Sequence, residues 1–150
     1  MEVRLNAARL VPEGYRNLLA LSKYLHGVGF EATLLHIVYL RVSQINGCAY
    51  CTDMHWKDAR HNGASEQQLS LLTCWRESPG FTNRERAALA YAEAVTLISK
   101  QHISDELFEE TRAHFSEVEI SNLTLAIGTI NVWNRIAITF RYKAGDYQPA

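Results

Sequence analysis

The sequence predicts an all-α domain, and two observations lead to this fold class. Apolar residues recur at spacings of three and four between short glycine-bearing turns, which is the period of one face of an α-helix. Prolines, which interrupt helices, number only 3 in 150 residues. That length suits one ordinary domain, and a hydrophobic fraction of 47% is enough for a substantial core. We therefore expect a single helical domain over residues 1–150.

Turn residues divide the first half of the chain into three helices. Pro12 suits the first turn of a helix through GYRNLLALSKYL that stops near Gly27. The second helix, EATLLHIVYLRVSQI, ends at the Asn-Gly pair at 46–47, because both residues tolerate the left-handed backbone of a helix end. A third helix runs through CAYCTDMHWKDARH to the Asn-Gly pair at 62–63. Its first turn contains two cysteines.

Capping boxes mark three helix starts in the second half of the chain. Each is a hydroxyl residue followed three positions later by Glu or Gln: Ser65 with Gln68, Thr82 with Glu85, and Ser116 with Glu119. The stretch CWRESPGFT, residues 74–82, is interpreted as a loop inside the domain.

The last helix contains LTLAIGTINVWNRIAITF, which is apolar on nearly every side. Asn131, Asn134 and Arg135 lie in its middle, where a bilayer would disfavour them. Burial in the core or against another subunit is the simpler interpretation, and we expect a homo-oligomer.

Charge and composition exclude several classes of partner. Lysine and arginine number 15 against 16 acidic residues, for a formal net charge of -1, so no basic surface for nucleic acid is indicated. The first residues, MEVRLNAARL, lack the features of a signal peptide, and we expect a cytoplasmic protein with no membrane partner. An odd count of 3 cysteines fits a secreted disulfide framework poorly. A redox or metal role for the cysteines fits better.

The stretch NGCAYCTDMHW places Cys48, Cys51 and His55 on one stripe of the third helix. The positive end of the helix dipole and a neighbouring imidazole both favour a thiolate, which makes Cys51 with His55 the expected reactive pair. A peroxide would oxidise Cys51 to a sulfenic acid, and a second thiol within reach would then close a disulfide. Cys48 is the expected resolving thiol.

Two other interpretations of these residues stay open. The two cysteines and His55 could be zinc ligands, although no second C-x-x-C or H-x-x-x-H motif completes a tetrahedral site. The cysteines could also be buried small hydrophobic residues. Cys74, at the end of LSLLTCW, has no partner nearby in sequence and is better explained by packing.

At SQINGCAYCTDMHWKDAR the sequence resembles the alkylhydroperoxidase AhpD-like branch of the carboxymuconolactone decarboxylase family. The RERAALAYAEAVT helix and the ISDELFEETRAHFSEVEISNLTLAIGTINVWNRIAI segment extend the resemblance over most of the chain. The resemblance implies an all-α fold assembled into trimers or hexamers, and a thiol-dependent peroxidase or disulfide reductase without a bound cofactor or metal. The branch that decarboxylates a lactone generally lacks the paired cysteines, which argues against that chemistry here.

Cys48, Cys51 and His55 fall on the family's two cysteines and following histidine. The family's relay glutamate, twelve residues before the first cysteine, corresponds to His36, and Tyr50 stands where some members have a histidine. Histidine can still accept a proton, so we expect His36 to serve as a relay partner whose titration affects function near neutral pH.

Two further residues have alternative interpretations. Arg135, amid apolar residues, is expected to pair with a buried carboxylate such as Glu85 or Glu93, although it could line a substrate entrance with Trp133. Tyr39 lies one turn beyond His36 and could shape the thiol pocket, but an aromatic residue at helical spacing is usually part of the core.

The leading hypothesis is a thiol oxidoreductase that reduces a hydroperoxide and is reset by an external dithiol or disulfide reductant. One alternative is a non-catalytic helical interaction protein in which the cysteines form a redox-sensing or structural pair. Another is a decarboxylase-like lyase, whose activity would survive mutation of both cysteines.

Overall fold

The computed structural model describes residues 2–149, and within them it contains helices and no strand. The α-helices are α1 (Ala7–Leu10), α2 (Pro12–Gly27), α3 (Ala32–Asn46), α4 (Ala49–His61), α5 (Glu66–Leu71), α6 (Asn83–Thr96), α7 (Asp105–Arg112) and α8 (Glu117–Phe140). A 3₁₀ helix, Leu72–Glu77, continues directly from α5. The predicted all-α fold class is confirmed.

The helix boundaries in the first half of the chain follow the turn residues. Pro12 is the first residue of α2, and α3 ends where Gly47 adopts a left-handed φ of 70°. Gly63 has a φ of 102°, directly after Asn62 caps the end of α4. This left-handed conformation would strain a residue with a side chain, which explains why glycine occupies both positions. The predicted ends of α3 and α4 are confirmed.

Two of the three predicted capping boxes are complete. Thr82 and Ser116 each accept a hydrogen bond from the third residue of α6 and α8, and the glutamate at that position binds the cap's own amide. At α5 the Ser65 hydroxyl caps the amide of Gln68, but the Gln68 side chain donates instead to Glu85 Oε1 at 3.1 Å. The predicted start of α5 is therefore confirmed, but only one of the two hydrogen bonds of its capping box is formed.

Helix α3 is the centre of the core. It packs against α4, α6 and α8, and its residues from Leu34 to Leu40 are all buried. A helix surrounded on three sides explains why this stretch is apolar with little amphipathic pattern. Its burial places His36 and Tyr39 inside the protein, next to α4.

An amide cluster fixes α8 against the end of α3. Asn134 is 1% exposed, donates to Ser43 Oγ at 3.1 Å and accepts from Asn46 Nδ2 at 2.8 Å. Asn46 also donates to Asn131 Oδ1 at 2.9 Å. Because Asn46 is the last residue of α3, these bonds hold the turn that leads into Cys48. The two asparagines of the NVWN sequence, Asn131 and Asn134, therefore help to hold α8 against α3.

The expected ion pair of Arg135 with Glu85 or Glu93 is wrong. Arg135 is exposed and donates to the backbone and side-chain oxygens of Asn131, one turn back. Arg41 takes the place next to Glu93, with its Nε 2.7 Å from the carboxylate. Because Asn131 precedes Arg135 by one helical turn, the Arg135 guanidinium finds its hydrogen-bond acceptors within α8.

Helix α8 also presents an apolar strip to solvent. Val118, Leu125, Val132 and Ile138 are 71%, 47%, 44% and 45% exposed. Among the described helices, none combines the length and apolarity required to cross a bilayer.

The expected packing of Cys74 is also wrong. Cys74 is a free, exposed cysteine in the 3₁₀ helix, where its backbone departs from helical geometry with φ -122° and ψ 33°. The neighbouring Leu72 and Trp75 are both buried. Cys74 itself faces outward.

Candidate active site

The start of α4 positions the cysteine pair. Cys48 is the N-cap residue, and its Sγ accepts a hydrogen bond from the backbone amide of Cys51 at 3.3 Å. The two residues form a disulfide, with their Cα atoms 5.4 Å apart. Both are 1% exposed. The C-x-x-C spacing therefore places both sulfur atoms in the first turn, where the helix dipole favours negative charge.

A cavity of about 300 Å³ lies between α2, α4 and α8 and reaches one of the two cysteines. Cys51 lines this cavity together with His55 and Asp58, which follow it by one and two turns on α4. Aromatic and apolar side chains form much of the remaining wall, among them Tyr15, Leu19, Tyr39, Met54, Ile130 and Trp133. The arrangement gives an apolar ligand access to a cysteine flanked by titratable groups.

Asp58 lies at the centre of these titratable groups. Its Oδ2 is 3.7 Å from His55 Nδ1 and 3.8 Å from His36 Nδ1. Neither imidazole nitrogen has a hydrogen-bond partner within 3.5 Å, so the contacts are electrostatic. The other oxygen, Oδ1, accepts a hydrogen bond from the Tyr147 hydroxyl at 2.7 Å. One carboxylate thus connects two buried histidines with the C-terminal segment.

Residues 141–149, which we call the C-terminal strap, are tied to α4 by Lys57. Its Nζ donates to the carbonyl oxygens of Gly145 and Tyr147, both at 3.0 Å, and to Asp53 Oδ2 at 2.9 Å. The Gly145 amide also donates to Asp53 Oδ2, at 3.1 Å. These bonds hold Tyr147 in the cavity wall, next to Asp58.

Burial controls the charge of both histidines. Desolvation, with the neighbouring His55, lowers the pKa of His36 from 6.5 to about 4, although Asp58 opposes the shift. Desolvation also lowers the pKa of His55, again against the pull of Asp58. Both imidazoles are therefore neutral at pH 7. The expectation that His36 titrates near neutrality is wrong, because it assumed an exposed side chain.

The carboxylate, by contrast, is held in its charged form. Burial would raise the pKa of Asp58, but the adjacent His55, the Tyr147 hydroxyl and His36 together hold it below its ordinary value. Burial and the same carboxylate raise the pKa of Tyr147 to about 12. At neutral pH the Asp58 carboxylate is therefore charged and lies next to two neutral imidazoles, His36 and His55, and the neutral Tyr147 hydroxyl.

Residues 12–94 match the model of the carboxymuconolactone decarboxylase family, which is more than half of the chain. The chain belongs to this family. An uncharacterised protein of Bacillus subtilis, YdfG, is 38% identical over 146 residues, covering 97% of this chain and 99% of its own.

Similarity to solved structures identifies the branch of the family. A protein of unknown function from Agrobacterium tumefaciens, named as a candidate antioxidant defence protein AhpD, is 46% identical with a TM-score of 0.92, covering 97% of this chain and 100% of its own. The chain lies in this AhpD-like branch. The debrominase Bmp8 shares the fold, with a TM-score of 0.80 and 21% identity over 90% of this chain and 73% of its own.

Only two of the four site residues predicted from the sequence line the cavity. Cys51 and His55 line the cavity, whereas His36 lies behind His55, with the two ring centroids 5.7 Å apart. The Nδ1 atom of His36 lies 3.8 Å from Asp58 Oδ2, and His36 does not line the cavity. Tyr39, left out of the predicted site, lines the cavity with its ring centroid 5.0 Å from that of His55. Cys48 does not line this cavity.

Sequence reasoning missed Asp58 and Tyr147. Asp58 lies three residues after His55 and seven after Cys51, so its helical spacing was a signal that could have been used. Tyr147 is separated from Asp58 by 89 residues, and no local pattern indicates the contact.

In the structure both cysteine sulfur atoms are in the disulfide, so neither is available as a zinc ligand in this oxidised state. The described side chains that could approach one cation are His36, His55 and Asp58, whose ligand atoms lie within 4.8 Å of one another. Ligands that share one zinc ion lie about 3 to 3.5 Å apart, given metal–ligand distances near 2.1 Å and tetrahedral angles. The observed contacts are wider, and we assign no metal to them.

Proposed function

We propose that this protein is a thiol-dependent peroxidase and disulfide oxidoreductase that reduces a hydroperoxide at Cys51. The observation that carries the proposal is that Cys51, His55 and Asp58 share the wall of one largely apolar cavity, while the disulfide partner Cys48 does not line it. A hydroperoxide entering this cavity meets one sulfur atom only. The resemblance to AhpD-like proteins supports the same assignment.

The first step is nucleophilic attack by the Cys51 thiolate on the terminal oxygen of the hydroperoxide. The S–O bond forms as the O–O bond breaks, which yields a sulfenic acid on Cys51 and an alkoxide that takes up a proton to become the alcohol. The cysteine sulfur is oxidised and the peroxide is reduced, both by two electrons. Apolar walls suit the organic part of such a substrate.

Cys48 completes the oxidation. Its thiolate attacks the Cys51 sulfenic sulfur, the new S–S bond forms, and the hydroxyl group leaves as water after protonation. The proposed product is a Cys48–Cys51 disulfide, and the presence of this bond in the structure supports the step. The hydrogen bond from the Cys51 amide stabilises negative charge on the Cys48 sulfur and so favours the thiolate needed for attack.

His55 is the proposed base for the Cys51 thiol. Its Nδ1 faces Asp58, which favours the proton on that nitrogen and leaves Nε2 free to accept one. Because the pKa of His55 is lowered by burial, the imidazole stays neutral and able to act as a base. His36, whose Nδ1 lies 3.8 Å from the same carboxylate oxygen, is proposed to position Asp58.

Peroxide consumption with a panel of external dithiols tests the proposal. The wild-type protein should turn over, Cys51→Ser should be inactive, and the Cys48→Ser, Cys51→Ser double variant should be inactive as well. Cys74→Ser is the matched control, because this exposed cysteine lies outside the site. Oxidation for a single turnover with no recycling by any dithiol would support a redox-sensing protein instead. Small-molecule turnover that survives in the double variant would indicate a lyase.

A further inference from the structure

The disulfide is reached from two cavities, and each touches a different cysteine. Cys51 lines the cavity described above, whereas Cys48 lines a separate groove of about 460 Å³. Tyr50, Ala137 and Tyr142 line both and form the wall between them. Tyr50 and Tyr142 pack edge to face, with ring centroids 5.7 Å apart. A ligand in one cavity is thus separated from a ligand in the other.

The groove at Cys48 carries positive charge. Its charged lining residues are Arg141 and Lys143, and no acidic residue among those described lines it. Within residues 2–149, the side chains of Arg141 and Lys143 make no hydrogen bond or ion pair with a carboxylate. Two cations that have no carboxylate partner among the described residues thus line the same groove as Cys48, and they form a local attraction for anions in a protein whose formal net charge is -1.

The backbone at Arg141 adds a second feature. This residue ends α8 in the left-handed conformation, with φ 60° and ψ 51°, and within residues 2–149 it is the one non-glycine residue with positive φ. Glycine is the residue that fits such a helix end without strain. Replacement of Arg141 by glycine should therefore remove the charge while leaving the fold intact.

We propose that an anionic thiol reductant enters by this groove and opens the disulfide by attacking Cys48. The inference rests on the proposed function and adds the route and charge of its reducing partner. The reductant's thiolate forms a bond to Cys48 Sγ, the Cys48–Cys51 bond breaks, and Cys51 leaves as a thiolate at the start of α4. A second thiol of the reductant then attacks its own sulfur in the mixed disulfide and releases Cys48. Peroxide and reductant thus use different faces of the redox centre.

Three small monothiols test both parts of the proposal on the oxidised protein. Besides the thiol, 3-mercaptopropionate carries an anionic carboxylate, 2-mercaptoethanol a neutral hydroxyl and cysteamine a cationic ammonium group. After a short reaction the mixture is quenched with acid and the released thiol is alkylated with excess N-ethylmaleimide, and mass spectrometry should then find the mixed disulfide on Cys48 and the maleimide on Cys51. The opening rate per thiolate should be about two- to fivefold higher for the anion than for the neutral thiol, which is the range for an exposed ion pair.

Variants localise the effect to the groove. Arg141→Gly and Lys143→Glu should each reduce or abolish the preference for the anionic thiol, with unchanged thermal stability for Arg141→Gly. Lys100→Glu, an exposed charge change that lines neither cavity, should keep it. A mixed disulfide on Cys51, or rates that do not depend on thiol charge, would overturn the proposal.

The oxidative half-reaction is followed separately, by mixing pre-reduced protein with hydroperoxide and no thiol. Arg141→Gly should form the disulfide at the wild-type rate in this experiment. Failure of the wild type to react with any hydroperoxide would overturn the proposed peroxidase function alone, since the route of thiol exchange is measured on the disulfide protein independently.

Discussion

Tyr147 donates a 2.7 Å hydrogen bond to Asp58 and so connects the C-terminal strap to the residue between the two buried histidines. The bond occupies Oδ1 and leaves Oδ2 facing both imidazoles. It also contributes to the low pKa of Asp58, because a donor stabilises the charged carboxylate. Tyr147 is therefore a positioning residue for the proposed chemistry.

Tyr147→Phe should lower the rate of Cys51 oxidation by about two- to tenfold, the equivalent of one hydrogen bond, while the aromatic ring still fills the cavity wall. The pKa of Asp58 should rise in the variant, because the hydroxyl that stabilises the charged carboxylate is missing. The oxidation rate should therefore begin to fall at a higher pH on acidification than it does in the wild type. Stopped-flow oxidation of pre-reduced protein across a pH series measures both effects.

Tyr24→Phe is the matched control for this variant. Its hydroxyl donates a 3.0 Å hydrogen bond to Asn122, and Tyr24 does not line the cavity of Cys51. Both variants lose one tyrosine hydrogen bond, but only Tyr147→Phe should change the pH profile. Identical profiles for the two variants would remove Tyr147 from the site.

The folded protein should lose stability as the pH falls from 6.5 toward 4. The pKa of His36 is about 4 in the fold and near 6.5 in the unfolded chain, so between these values the unfolded state binds the extra proton. Stability thus rises with pH in this window, and the gap corresponds to at most about 3 kcal/mol of unfolding free energy. Urea denaturation at several pH values measures the slope.

His36→Gln should reduce this dependence, because glutamine cannot take up the proton, and the slope that remains is expected from His55, whose pKa is also lowered by burial. His61→Gln, which alters an exposed histidine at the end of α4, should keep the wild-type slope. An unchanged slope in His36→Gln would mean that His36 does not remain neutral in the fold.

The protein should form a homo-oligomer through the exposed apolar strip of α8. Residues Val118, Leu125 and Val132 recur every seven positions, so they lie along one side of the helix and leave a row of large apolar side chains in water. Light scattering should return two or more times 17.0 kDa, and Leu125→Glu should shift the mass toward the monomer. A wild-type mass near 17.0 kDa over a wide concentration range would contradict this prediction.

Local chemistry made much of the helical framework predictable. Proline and glycine act through their own backbone, so the start of α2 at Pro12 and the end of α3 before Gly47 followed from the sequence. The hydroxyl caps of α5, α6 and α8 are equally local. The reach of Gln68 to Glu85 was not predictable, because it depends on how α5 packs beside α6.

The site was predictable only along α4. Helical spacing brought Cys51 and His55 into one cavity, as expected from one turn of separation. The pKa of His36 depends on burial by other helices, and the role of Tyr147 depends on how the strap returns to α4. Neither could be inferred from spacing, because both depend on contacts between distant parts of the chain.

The measurement that tests the central assignment most directly is the location of the sulfenic acid after a hydroperoxide reacts with single-cysteine variants of the pair. Pre-reduced Cys48→Ser and Cys51→Ser proteins are treated with hydroperoxide and a sulfenic-acid trap such as dimedone, and the adduct is mapped by peptide mass spectrometry. We predict an adduct on Cys51 in the Cys48→Ser protein, none on Cys48 in the Cys51→Ser protein, and loss of two hydrogens with no adduct in the wild type. An adduct on Cys48 alone would contradict the account and reverse the roles of the two cysteines.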